Sequence, residues 1–163
     1  ADVPYCLTND LSLVEGIGEK ITKLDVNINK TVIIVNPNLF VSTKEVFQNV
    51  TKYSKALSKD EMEKLILNKK YNQLLINDLE EPSFKLNEDL KKLKESLLEY
   101  GDVVMSGSGS TMLILTDDYN SITKIKDKYP DYLIKETYIL NNNQYDICVH
   151  GNIYFKVDKL LKL

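Results

Sequence analysis

Soft metal ligands are nearly absent from this sequence. Two cysteines, Cys6 and Cys148, stand far apart, and with the lone His150 they fall short of the three or four ligands that a metal cluster takes. No metal site is expected, and the low cysteine count suits a reducing compartment. Long apolar runs are missing too. Stretches such as Val32-Ile33-Ile34-Val35 and Met112-Leu113-Ile114-Leu115 are far shorter than the roughly 20 residues of a membrane-spanning helix. A soluble protein with no membrane partner is therefore expected. There is no excess of positive charge, and a formal charge of -3 with a pI near 5.3 argues against nucleic acid as a partner. Arginine does not occur: all 21 cations are lysine, as an AT-rich genome would produce. The chain opens Ala-Asp-Val-Pro, without an initiator methionine or the basic and apolar regions of a signal peptide, and reads as a fragment.

What is present suits one globular core: 163 residues, 43% hydrophobic and 28% charged. Leu11 to Glu15, the turn Gly16-Ile17-Gly18 and Lys20 to Leu24 predict strand, turn and strand, the glycines allowing the reversal. Thr31 to Val35 is a continuous β-branched run of the kind found in a buried strand, stopped by Asn36-Pro37-Asn38. Ser42 with Glu45, and Ser58 with Glu61, have the spacing of a capping box and predict two helix starts. The second helix carries Met62, Leu65 and Ile66 and fades at Asn68-Lys69-Lys70. From Leu86, the positions Leu90, Leu93 and Leu97 align on one helical stripe ending near Gly101. Strands are predicted at Val103-Val104-Met105, at Met112 to Leu115 and from Tyr132 to Leu140, with a helix through Ile122, Ile125 and Tyr129. Taken with the earlier strand, this order gives an α+β fold, a ferredoxin-like sandwich built on a split β-α-β pattern. N-terminal strands precede it, and a C-terminal hairpin around His150-Gly151-Asn152 is appended.

Two segments combine reactive groups with unusual backbone freedom: Ala1-Asp2-Val3-Pro4 and Met105-Ser106-Gly107-Ser108-Gly109-Ser110. Read alone, the first is a solvated or capping carboxylate and the second a plain turn. The loop does leave backbone N–H groups open to an anion. It is neither a P-loop, since no Gly-Lys-Ser or Gly-Lys-Thr follows, nor a dinucleotide fingerprint, since it joins strand to strand. A Ser-His-Asp hydrolase would have to use the single histidine, in a predicted hairpin near the chain end, and is set aside.

Five collinear segments carry a resemblance. Asp2-Val3-Pro4-Tyr5-Cys6-Leu7 looks like an active-site segment, Glu15-Gly16-Ile17-Gly18-Glu19 like the turn that follows it, and Pro37 through Val41-Ser42-Thr43-Lys44-Glu45-Val46-Phe47 like a substrate-side loop and helix. Asn77-Asp78-Leu79-Glu80 resembles the segment before a long helix, and Met105 to Ser110 is similar to the third motif of the GHMP kinases. The pattern runs to about Leu140 and resembles, within that family, the kinases of 4-diphosphocytidyl-2-C-methyl-D-erythritol in non-mevalonate isoprenoid biosynthesis. The alternatives are another GHMP kinase, of the mevalonate or homoserine type, and a non-catalytic ferredoxin-like ligand-binding module.

The resemblance implies transfer of the ATP γ-phosphate, with Mg2+, to the 2-hydroxyl of that small-molecule substrate, in bacterial cytoplasm or a plastid of the apicoplast type. Asp2 would be the catalytic carboxylate. Thr43 and Phe47 would border the cytidine pocket, Phe47 either stacking on the base or serving as a core aromatic. Gly107, Ser108, Gly109 and Ser110 would line the phosphate end of the cleft, with Thr111 structural. On this reading residues 1–163 are the C-terminal, substrate-side domain, and the N-terminal ATP-binding domain, with the family's main nucleotide loop and catalytic lysine, is absent. Asn9-Asp10 stands where the family usually has a glycine pair, and the resemblance assigns no counterpart to the residues after Asn143. The isolated chain is expected to fold without turnover; micromolar ATP affinity in calorimetry would contradict this.

Overall fold

The computed structural model describes residues 11–139. The Asp2 segment, both cysteines and the C-terminal hairpin expected around His150 lie outside the described residues.

Ser12–Glu15 (β1) and Lys20–Lys23 (β2) pair antiparallel, with Ser12 opposite Lys23 and Glu15 opposite Lys20. The turn between them uses the two expected glycines, at φ 69° for Gly16 and 103° for Gly18. Thr31–Asn36 (β3) follows, then, among the described residues, the α-helices Thr43–Gln48 (α1), Lys59–Leu67 (α2), Tyr71–Leu74 (α3), Glu80–Leu86 (α4), Glu88–Leu97 (α5), which runs on into a 3-10 turn at Leu98–Tyr100, and, after two further strands, Ser121–Lys128 (α6). Those strands are Asp102–Met105 (β4) and Met112–Thr116 (β5); Leu133–Tyr138 (β6) closes the described chain.

β3 to β6 form one antiparallel sheet in the order β4-β5-β3-β6. β3 and β4 are thus joined by a helical crossover with β5 lying between them, the split β-α-β arrangement anticipated above. Both sheet faces are covered, which accounts for the unbroken apolar character of β3. Ile33 and Val35 point with Met112, Ile114, Val103 and Met105 toward α5 and α6, meeting Leu90, Leu93, Leu97 and Ile125. Val32 and Ile34 point the other way, with Leu113, Leu115 and Val104, toward Leu11, Leu24, Ile66 and Tyr71. The β1–β2 hairpin, α2 and α3 make that second layer.

Ser58 closes the predicted capping box: its Oγ accepts from Glu61 N at 3.3 Å and its N–H donates to Glu61 Oε2 at 2.8 Å. The donated N–H holds the Glu61 carboxyl below its ordinary value. Lys59 Nζ donates to Asp25 at 2.6 Å, lowering the Asp25 pKa and raising that of Lys59, and so ties α2 to the segment after the hairpin. At α1, Ser42 Oγ accepts from Glu45 N at 3.4 Å.

Two expected boundaries are corrected. Leu86 does not open the Leu90-Leu93-Leu97 helix but ends α4 and is half exposed. Asn87, extended at φ -143° and ψ 99°, separates the two helices and caps α5 by accepting from Asp89 N at 3.1 Å. β6 spans Leu133–Tyr138 rather than starting at Tyr132, whose ring stacks on Tyr129 at 5.0 Å. Among the described residues no helix is long and apolar enough to cross a membrane.

Candidate functional site

The loop between β4 and β5 is built as a tight excursion. Ser106 N donates to Thr111 O at 2.8 Å across its base, and Gly109 N donates to Ser106 O at 2.9 Å inside it. Gly107 sits at φ 55°, in the left-handed region that costs a side chain most, and a Cβ placed there would meet nothing within 4 Å. The outer face of the loop is therefore open space.

Its inner face is held by the side chains of Asn36, Asn77, Glu80 and Ser83 and by the backbone carbonyl of Leu39. Asn77 Nδ2 donates to Met105 O at 2.7 Å and to Gly107 O at 2.8 Å. Ser83, fully buried on α4, donates to Ser108 O at 2.9 Å. Ser110 Oγ donates to Leu39 O at 2.8 Å, and Asn36 Nδ2 to Thr111 Oγ1 at 3.0 Å, the structural role expected of Thr111. Glu80 accepts from Met105 N at 2.8 Å with one carboxylate oxygen and from Lys94 Nζ at 2.5 Å with the other. Ser83 and Ser110 are buried and the other groups partly so; polar groups withdrawn from water are retained only when satisfied, so the network holds the loop in position.

Thr43, the first residue of α1, meets this loop directly. Its Oγ1 lies 2.8 Å from Ser108 Oγ. Phe47 follows four residues on, on the same face of the helix. It is 59% exposed while its neighbour Val46 is fully buried, so the core-aromatic reading of Phe47 is overturned. Phe40, in the preceding loop, is 90% exposed. The structure thus brings Thr43, picked as substrate-side, against the loop picked as phosphate-side, while Phe47 stands one helical turn further along α1. Asp2 lies outside the described residues.

Sequence reasoning missed Asn77, Glu80 and Ser83 as parts of the site. The Asn77-Asp78-Leu79-Glu80 segment stood out only as a stretch before a helix. Among the described residues, no group of three or more His, Cys, Asp or Glu comes together where it could hold a metal ion. A separate cleft of about 240 Å³ lies on the opposite sheet face, bounded by Leu13, Leu24, Met62, Ile66 and Leu75, with Ser54 and Lys55 in its wall.

Comparison with known proteins makes the family explicit. The family model described as GHMP kinases C terminal matches residues 54–135, half of the chain, and the chain belongs to that family. It is 36% identical over 161 residues to a 4-diphosphocytidyl-2-C-methyl-D-erythritol kinase of Clostridium perfringens, covering 87% of this chain and 54% of the relative. To the protein of the same name from Clostridium beijerinckii it is 34% identical over 149 residues, covering 84% and 53%. The chain spans about half the length of the curated relatives it matches.

Among solved structures, a crystal structure of 4-(cytidine 5'-diphospho)-2C-methyl-D-erythritol kinase superposes with a TM-score of 0.68 at 23% identity, over 85% of this chain and 53% of that one. Homoserine kinase from Cytophaga hutchinsonii superposes with a TM-score of 0.51 at 19% identity, over 78% and 47%. Both likenesses concern the fold.

Proposed function

We propose that this chain is the C-terminal, substrate-side part of a kinase that transfers the γ-phosphoryl group of ATP to the 2-hydroxyl of 4-diphosphocytidyl-2-C-methyl-D-erythritol. The observation that carries the reading is the 2.8 Å contact between Thr43 Oγ1 and Ser108 Oγ. It joins the helix that would face the cytidine to the loop that would face the phosphates. The names of the relatives, all matched over about half their length, support the same substrate.

In this reaction the substrate hydroxyl oxygen forms a bond to the γ-phosphorus, the bond to the β–γ bridging oxygen breaks, and ADP leaves. The hydroxyl proton passes to a carboxylate, assigned to Asp2. Little covalent chemistry is asked of the protein, so positioning and charge stabilisation supply most of the catalysis. The Gly107-to-Ser110 loop would offer backbone dipoles at the phosphate end. ATP and its Mg2+ would enter as co-substrate, held chiefly by the N-terminal half that precedes this domain in the proposed enzyme.

The test is phosphorylation by the complete protein of the cytidine-linked alcohol against mevalonate and homoserine. Transfer to the cytidine-linked alcohol is expected, and transfer to mevalonate alone overturns the assignment. Phe47 adds a second check. Because its ring is exposed, Phe47→Ala should leave the melting temperature unchanged and raise KM for the cytidine substrate roughly 5- to 150-fold, the value of one stacked base. An unaltered KM removes Phe47 from the pocket.

A further inference from the structure

We propose that Asn77 and Glu80 are positioning residues that clamp the Gly-Ser loop with the Ser108 N–H turned toward the phosphates; the inference rests on the kinase reading above. Asn77 spends both of its Nδ2 hydrogens on the loop, on Met105 O and Gly107 O, while its Oδ1 accepts from Leu79 N at 3.0 Å. The orientation of the amide is fixed by this pattern. Turned over, it would set an oxygen against two carbonyl oxygens.

Glu80 grips the same loop from its opposite polarity. One oxygen takes the amide of Met105 and the other the ammonium of Lys94, with only 16% of the Glu80 side chain and 21% of the Lys94 side chain exposed. A charge-assisted pair this sheltered holds its geometry better than one in open water. Residues 77 and 80 therefore control both the N–H and the C=O of Met105, the last residue of β4, and the C=O of Gly107 beyond it.

Peptide planarity turns this into a functional statement. In a trans peptide the C=O of one residue and the N–H of the next point in opposite directions. With the Gly107 carbonyl drawn toward Asn77, the Ser108 N–H is directed away from Asn77, and the open space over Gly107 gives an anion room to approach. Ser83 fixes the next carbonyl in the same network. Without the clamp the Met105 and Gly107 carbonyls lose the partner that fixes their direction, and a displacement of about 1 Å at such a position can cost on the order of 10²-fold in rate.

The experiment uses the complete protein with four variants. Asn77→Asp is isosteric and replaces the donor facing two carbonyls with an acceptor. Glu80→Ala removes the grip on Met105 N–H, Glu80→Gln keeps an acceptor for it, and Asp78→Asn is the control, its carboxylate accepting from Ser54 N and Oγ at the far side of the segment. Asn77→Asp and Glu80→Ala are expected to lower kcat/KM for ATP by about 10²-fold, with Glu80→Gln recovering to within about fivefold and Asp78→Asn within about twofold. Hydrogen exchange across residues 105–109 should quicken in Asn77→Asp and not in Asp78→Asn. Near-normal kcat/KM in Asn77→Asp overturns the proposal, as does an equal loss in Asp78→Asn at matched melting temperature. If Glu80→Ala does not fold, Asn77→Asp decides. A wild-type protein without kinase activity would refute the kinase reading instead, while exchange would still report on the clamp.

Discussion

In the complete protein, Asp2→Asn should lower kcat by about 10²- to 10⁴-fold, the usual contribution of a general base, with KM for the alcohol changed only a few-fold. An aliphatic hydroxyl is a poor nucleophile at neutral pH. A carboxylate that accepts its proton as the bond to phosphorus forms acts mainly in the transition state, so its loss is felt in turnover more than in binding. The asparagine keeps the shape and a hydrogen bond to the hydroxyl but cannot take the proton. Asp10→Asn, eight residues on in the same segment, serves as the comparison and should retain turnover. Unchanged turnover in Asp2→Asn would show that Asp2 is a bystander carboxylate, the reading its sequence neighbourhood gives when taken alone.

How far the fold could be read in advance follows from how local its causes are. β3 was legible because both faces of that strand are buried, so Thr31 to Val35 carries no polar interruption. The start of α2 was legible because its cap is made by residues three apart. α3 and α4 left no such mark. Neither has a side-chain cap of its own, and α4 carries Pro82 in its first turn, where the missing N–H costs nothing but the sequence looks like a loop. Leu86 was misassigned for a related reason: it stands four residues before Leu90, as a helix stripe requires, and only the extended backbone of Asn87 shows that the two belong to different helices.

The site divides in the same way. Its Gly-Ser loop and the Thr43 helix are contiguous motifs and could be picked out in the chain. What holds them together could not, because Asn77 reaches Met105 and Gly107 across 28 and 30 residues, and Ser83 reaches Ser108 across 25. A bond from a side chain to a distant backbone atom imposes no period on the sequence. Resemblance to a family marked Asn77 to Glu80 as a segment, yet its task became visible only when the loop carbonyls were found turned toward it.

The second large effect concerns two glycines that look alike in the sequence and differ in what surrounds them. Gly101, between the end of the α5 helix and β4, has φ 156°, and a Cβ there would lie 2.2 Å from the backbone oxygen of Leu115 and 3.2 Å from Ile114 Cγ2. Backbone in the middle of a sheet cannot step aside, and Leu115 is paired with Asp102, the residue next to Gly101. Gly101→Ala must therefore part β4 from β5 or distort the chain entering the sheet. Overpacking of about 1–3 kcal/mol and backbone strain of similar size add to a loss of roughly 2–6 kcal/mol, a large share of a small domain's stability. Gly107→Ala meets no atom and pays only for its left-handed backbone, about 1–2 kcal/mol. Denaturant unfolding of the two variants should separate them clearly. Kinetics in the complete protein should reverse the order of interest, since the methyl at Gly107 would occupy the space through which a phosphate reaches the loop, and kcat/KM for ATP should fall although the fold survives. Equal unfolding losses at the two positions would mean that φ alone, and not the contact with Leu115, sets the demand for glycine at position 101.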